Sequence, residues 1–277
     1  MKEIAIIGVP IETIHLKGDN EFDDAPLEVY NRGSTDKIRK YLVNCSNTHA
    51  NVGFKDLGEL KFGFRQDKEY VCRNIVFKYE KEDVAEIDLD TLQKERDFVL
   101  KQKKNFDYVI CIGASHFGAL LLYEKNDFVA RADFHGDFYW EYEKNYVGEN
   151  YSSYMHTVKR KIIKNPKKII NYGWGGTYLD DKSKYLAMDI FGEEGLIGDN
   201  KHKDANHFDI DVDCFKKELE ISKSENCGRL VPKQLEDMIS EAKPEKIGIW
   251  EYRWNHDKGN GRRFIENVIF NCLAGQN

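Results

Sequence analysis

The chain has 277 residues, 41% of them hydrophobic, enough to bury a large core in one α/β domain or two small ones. Its 42 basic and 48 acidic residues leave a formal net charge of -6, which argues against nucleic acid as a partner, because phosphate binding needs concentrated positive surface. No apolar run approaches the roughly 20 residues that span a bilayer, and the apolar part of Met1–Pro10 is too short for a signal peptide. The expected location is therefore the cytoplasm, with no membrane contact.

In chain order, Ile4–Ile7 predicts a first strand, and Lys17–Arg32, rich in Asp and Glu, predicts a surface segment. Asp90–Lys104 reads as a helix, and Tyr108–Ile112 and Phe128–Ala132 as β-rich runs. Lys168–Tyr172 follows as another, then Gly192–Asn206, polar enough for a mobile loop, and the run His207–Ile210. Pro232–Ala242 reads as a helix with Pro at a tolerated first-turn position, and Lys246–Trp250 as the last strand. Strands and helices that alternate in this way predict a parallel sheet covered on both faces. The cysteines at 45, 72, 111, 214, 227 and 272 show no C-x-x-C pair, so reduced and mostly buried thiols are expected.

The polar residues fall at informative places. His116, Asp133, Asp209 and Glu251 sit at or just past the C-terminal end of an apolar run, the edge where open α/β sheets build their sites. In Arg131-Ala-Asp-Phe-His-Gly-Asp-Phe138, Asp133, His135 and Asp137 recur at every second position, which can put three metal ligands on one side of a strand end. His207-Phe-Asp-Ile-Asp-Val-Asp213 adds a second run of alternating carboxylates. Taken alone, the first run also fits a polar loop capping a helix, and the second a solvated acidic strand end or a calcium loop. Together they supply donors for two cations, and oxygen-rich ligation with few imidazoles suits Mn²⁺ better than a closed zinc site.

The order of Gly113-Ala-Ser-His116, Asp133-Phe-His-Gly-Asp137, Ser153-Tyr-Met-His156-Thr157, Phe208-Asp-Ile-Asp211 and Ile249-Trp-Glu251 resembles the ureohydrolase family, which includes arginase, agmatinase and formimidoylglutamase. The resemblance covers nearly the whole chain. It implies a single hydrolase domain over residues 1–277, a three-layer αβα sandwich around a central, mostly parallel eight-stranded sheet. It also implies two Mn²⁺ ions per subunit held by His116, Asp133, His135, Asp137, Asp209 and Asp211. Asp137 would take the proton of the attacking water, His156 would shuttle protons at the site mouth, and Glu251 would accept the guanidinium of a small cationic substrate. Water attack on the guanidinium carbon would then release urea and an amine. A homo-oligomer of three or six subunits is implied as well.

Four departures bear on the substrate. Ala114 and Ser115 stand where the family pattern has Gly-Asp, removing a carboxylate that supports the first ligand. Phe134 replaces a small residue, and Tyr172-Gly-Trp174 replaces Gly-Ile-Arg. Residues that read an α-amino acid have no match, so an agmatine-like guanidine is expected rather than arginine. The loop Phe138–Glu143, with aromatic rings and carboxylates, would favour such a cation. Two other readings remain open: a deacetylase-type amide hydrolase using one zinc, and a degenerate relative that binds metal or ligand without catalysis.

Overall fold

The computed structural model describes residues 1–10, 33–49, 51–61, 63–65, 69–72, 75–78, 84–86, 89–135, 168–173, 193–195, 198–222 and 227–275. Asp137, His156, Trp174, Lys17–Arg32 and Phe138–Glu143 lie outside them. The chain opens with strand β1 (Lys2–Val9), helix α1 (Gly33–Ser46) and strand β2 (Val52–Glu59). Four short strands follow: β3 (Gly63–Arg65), β4 (Glu69–Cys72), β5 (Ile75–Lys78) and β6 (Val84–Glu86). Then come α2 (Leu89–Gln102), β7 (Tyr108–Gly113), β8 (Phe128–Ala132), β9 (Lys168–Tyr172), β10 (Glu193–Gly195) and β11 (His207–Asp211). Helix α3 (Pro232–Ala242), strand β12 (Lys246–Trp250) and helix α4 (Asn260–Asn267) complete the set, the last running into a π-helical turn at Val268–Leu273.

Eight strands form one sheet in the order β10-β9-β8-β11-β12-β7-β1-β2, and every pairing in it is parallel. The short strands form two antiparallel ribbons apart from it, β3 with β6 and β4 with β5. All residues of β7, β11 and β12 are buried, as a parallel sheet covered on both faces requires. Alternate residues of a strand feed two separate cores. Ile4, Ile6, Ile110, Ile112, Ile247 and Ile249 pack with Ile38 and Leu42 of α1, Leu235 and Ile239 of α3, and Phe264 of α4. Ile7, Val9, Val109, Cys111 and Val129 pack on the other face with Leu92 and Val99 of α2 and with Ala119–Leu122. The architecture is an αβα sandwich.

The helix expected at Pro232–Ala242 has those bounds. Gln234 Oε1 accepts from the Val231 N–H at 2.9 Å at its start, and Lys243 ends it in a left-handed conformation with its N–H on the Ile239 carbonyl. The polar stretch Gly192–Asn206, expected as a mobile loop, carries regular structure at its described residues. Glu193–Gly195 adds a strand to the free side of β9, and Lys201–Asp204 forms a 3₁₀ turn whose first N–H is held by Asp199 Oδ1 at 2.9 Å. Backbone hydrogen bonding to an open sheet edge outweighs low apolar content there. Cys111, Cys214 and Cys272 are buried, and Cys45 and Cys227 are partly buried.

Because β11 and β12 insert between β7 and β8, the chain direction of the crossovers changes at the middle of the sheet. The C-terminal ends of these four central strands face one another across that crevice, where open α/β sheets place ligands. No helix among the described residues is long and apolar enough to cross a membrane.

Candidate metal centre

Four strand ends present the polar residues. His116 begins the 3₁₀ turn His116–Leu121 shortly after β7, Asp133 follows β8, Asp211 ends β11, and Glu251 follows β12. Each aspartate turns the chain by a local side-chain bond. Asp133 Oδ1 accepts the His135 N–H at 2.6 Å, and Asp211 Oδ1 accepts the Asp213 N–H at 2.9 Å. These two-residue turns, which short acidic side chains favour, bring the residue two positions on to the same group of donors. A bond of 3.1 Å from the Phe134 N–H to Asp213 Oδ1 ties the two turns together.

Nδ1 of His116 stands 3.1 Å from Asp133 Oδ2 and 3.0 Å from Asp211 Oδ2. His135 Nδ1 stands 2.5 Å from Asp213 Oδ2. Among the described residues, two groups thereby place their ligand atoms within 4.8 Å of one another: His116, Asp133 and Asp211, and Asp133, His135 and Asp213. Asp133 belongs to both. A carboxylate shared between two imidazole–carboxylate groups makes His116, Asp133, His135, Asp211 and Asp213 candidate ligands for divalent metal.

The carboxylates feel opposing fields. Burial alone would raise Asp133, but the Arg131 guanidinium and the imidazoles of His116 and His135 hold it well below the usual carboxylate range. Asp211 goes the other way, pushed well up by burial and then by the charges of Asp213 and Asp133. Glu251 is pushed up to about 8 by burial and by Asp211. Carboxylates crowded enough to resist ionisation are those that positive charge would relieve. Glu251 also holds a φ of 56°, a left-handed conformation uncommon outside glycine that recurs at functional sites.

Asp209 is elsewhere. It lies two residues before Asp211 on the same strand face, one pleat deeper, paired in register with Arg131 of β8 and Gly248 of β12, and it falls in neither group. Its Oδ1 faces His116 Nε2 at 3.1 Å and accepts the Trp250 indole N–H at 2.7 Å, while its Oδ2 accepts the Tyr123 hydroxyl at 2.5 Å. The structure thus brings His116, Asp133, His135 and Asp211 together, with Glu251 near enough to feel Asp211. It adds Asp213, which the sequence presents only as part of an acidic run. Its signal was there: it is the third member of the same alternation.

No protein-family model matches the sequence, and no curated protein sequence does either. Solved structures do match. Arginase from Bacillus caldovelox superposes with a TM-score of 0.67 at 16% identity, covering 100% of this chain and 99% of that one. The chain has the arginase fold. Agmatine ureohydrolase of Thermoplasma volcanium shares this arginase fold at a TM-score of 0.63 and 14% identity, over 98% of this chain and 88% of the other. Proclavaminate amidino hydrolase from Streptomyces clavuligerus does so at 0.62 and 14%, over 99% and 91%. Within the arginase fold, the converging donors occupy the sheet edge where the central strands end.

Proposed function

We propose that the chain is a binuclear metal-dependent hydrolase that cleaves a guanidino C–N bond to release urea and an amine, with manganese as the metal and an agmatine-like cation as the substrate. One observation carries this: Asp133 is shared by two imidazole–carboxylate groups at the C-terminal edge of an arginase-fold sheet. His116, Asp133 and Asp211 would hold one cation, and Asp133, His135 and Asp213 the other, with Asp137 completing the set by resemblance. Two such cations would supply Lewis acidity and lower the pKa of a bound water. The rest falls to side chains. Asp137 would take the proton of the attacking water, and His156 would return one to the departing amine. Glu251 would accept the substrate guanidinium in paired charge-assisted hydrogen bonds, which requires the carboxylate to be ionised. Neighbouring cations favour that form by the same Coulomb attraction that Asp211 opposes.

The absence of a matched α-amino-acid reader favours a decarboxylated guanidine, as does His156-Thr157 followed by Lys159-Arg160, which resembles the agmatinase version of that loop. A single-zinc amide hydrolase is disfavoured by the second group around His135 and Asp213. Urea release in the presence of Mn²⁺ should be measured with agmatine, guanidinobutyrate and arginine in parallel. Turnover is expected to be highest with agmatine. Two bound ions without turnover of any guanidino compound would instead leave a metal-binding protein that does not catalyse.

A further inference from the structure

The carboxylate of Asp209 is engaged on every side by groups that point at it rather than at a ligand. Trp250 Nε1–H and Tyr123 O–H donate to its two oxygens at 2.7 and 2.5 Å, His116 Nε2 meets Oδ1 at 3.1 Å, and the Arg131 Nε lies 3.8 Å from Oδ2. Asp209 is fully buried, and so are Tyr123, Arg131 and Trp250.

The donors are themselves held in place. The Trp250 indole lies in a slot of three glycines, where an added Cβ at Gly113, Gly118 or Gly248 would come within 2.9, 2.5 and 2.5 Å of its ring atoms. Tyr123 stacks edge-on against His207 at 4.8 Å. Neither donor has room to turn away.

We propose that Asp209 is a positioning residue rather than a metal ligand: gripped by Tyr123 and Trp250, it accepts the hydrogen bond of His116 Nε2–H and leaves the Nδ1 lone pair for a cation between Asp133 and Asp211. A neutral imidazole carries one N–H, and the hydrogen bond made by one nitrogen decides which lone pair the other presents. Ser115 stands where the resembled pattern has an acid supporting this histidine. Asp209 supplies the carboxylate from a neighbouring strand instead, with Arg131 close by to offset its charge. Of the three alternating aspartates on β11 and just beyond it, the deepest serves the histidine, and Asp211 and Asp213 face the cations.

This inference rests on the proposed metal centre, and the experiment separates the two. Mn²⁺ binding to the full chain is followed by the electron paramagnetic resonance of free Mn²⁺, for wild type, Asp209→Asn, Tyr123→Phe and Trp250→Phe. The His116 tautomer of the chelator-treated protein is read from its imidazole ¹⁵N resonances. Wild type is expected to bind two ions and to show the Nε2–H tautomer. Asp209→Asn should still bind two ions, one of them about 10- to 100-fold more weakly, with the tautomer shifted. Tyr123→Phe removes only a hydroxyl and keeps the test intact if Asp209→Asn fails to fold; it should weaken the same ion about tenfold, at the low end of that range. Loss of an ion altogether in Asp209→Asn with wild-type binding in both donor variants would make Asp209 a ligand and overturn the inference. So would unchanged affinity and an unchanged tautomer in all three. A wild type that binds no Mn²⁺ overturns the metal centre, and this inference with it.

Discussion

Asp133 stands at the join of the two donor groups, with Oδ2 against His116 Nδ1 and Oδ1 on the His135 N–H. Arg131 donates to the same side chain, and Arg131 Nη1 also reaches the His135 carbonyl at 2.8 Å, so the carboxylate is held before any cation arrives. Replacing Asp133 by Ala should therefore abolish binding of both ions, whereas Asp213→Ala should abolish one, and equilibrium dialysis with Mn²⁺ would show two, none and one per chain. If Asp213→Ala kept two ions, its place in the second group would be wrong. For Glu251, Glu251→Gln keeps shape and removes the charge proposed to meet the guanidinium. Charge-assisted bonds contribute about 1.5–3 kcal/mol each, so kcat/KM for agmatine should fall about a hundredfold while both ions stay bound. An effect on ion count instead would place Glu251 among the ligands. Alternation in Asp209-Ile-Asp-Val-Asp213 shows from sequence alone that three carboxylates share a strand face. Which of them meets a cation depends on how far β11 extends beyond its neighbours, and that depth is a property of sheet register, invisible in the pattern.

At the scale of elements, legibility follows apolar content. The runs that became β1, β7, β8, β9, β11 and β12 stand out because strands buried on both faces need continuous β-branched and aromatic residues. Helix α2 was anticipated within two residues at its C-terminal end. Helix α1 was not, because its buried stripe is Ser34, Thr35, Ile38, Arg39 and Leu42, and three polar members hide the period. Arg39 is buried there because Asp56 accepts from its Nε at 2.8 Å and Glu59 lies 3.1 Å from its Nη1, partners that only the folded β2 provides. Strand β2 itself is half-exposed along its length, as an edge strand is, and shows no clear alternation. The turn at His116–Leu121 depends on a contact sequence could not reveal, the Trp250 ring seated against Gly118. Gly118→Ala should destabilise the chain by about 1–3 kcal/mol, the usual range for an overpacked core, because Gly113 and Gly248 leave the ring no retreat. Urea unfolding would register this as a lower midpoint at unchanged slope. A midpoint within error of wild type would mean the turn can shift, and the slot does not clamp the indole.

At the scale of the whole molecule, buried charge sits at both ends of the central strands, and the two ends respond to pH with opposite sign. At the N-terminal end, the fully buried Lys246 donates to Asp127 at 2.7 and 2.8 Å, to Glu124 at 2.8 Å and to the Leu122 carbonyl at 2.8 Å. Burial would raise the Asp127 carboxyl, but His207, 3.4 Å away, and Lys246 hold it well below its ordinary value. A depressed carboxyl contributes stability that is present above the unfolded value, about 3.9, and is lost as pH falls below it. At the C-terminal end, Glu251 is raised to about 8, so between its unfolded value, about 4.3, and its folded value the native chain binds the extra proton. Stability of the metal-free protein should therefore decline by up to about 1.4 kcal/mol per pH unit across that window, with Asp211 adding in the same direction. Cations bound at the proposed centre would reverse this second trend, since they would favour the ionised carboxylates and displace protons on binding. Thermal melts at pH 5.5 and pH 8, each with chelator and with Mn²⁺, would test the coupling. The gain from Mn²⁺ should be larger at pH 8, reaching about 2.7 kcal/mol per ion at a hundredfold excess over Kd. An equal gain at both values would mean that Glu251 and Asp211 do not share a field with the bound ions, and that the two donor groups are not the place where cations bind.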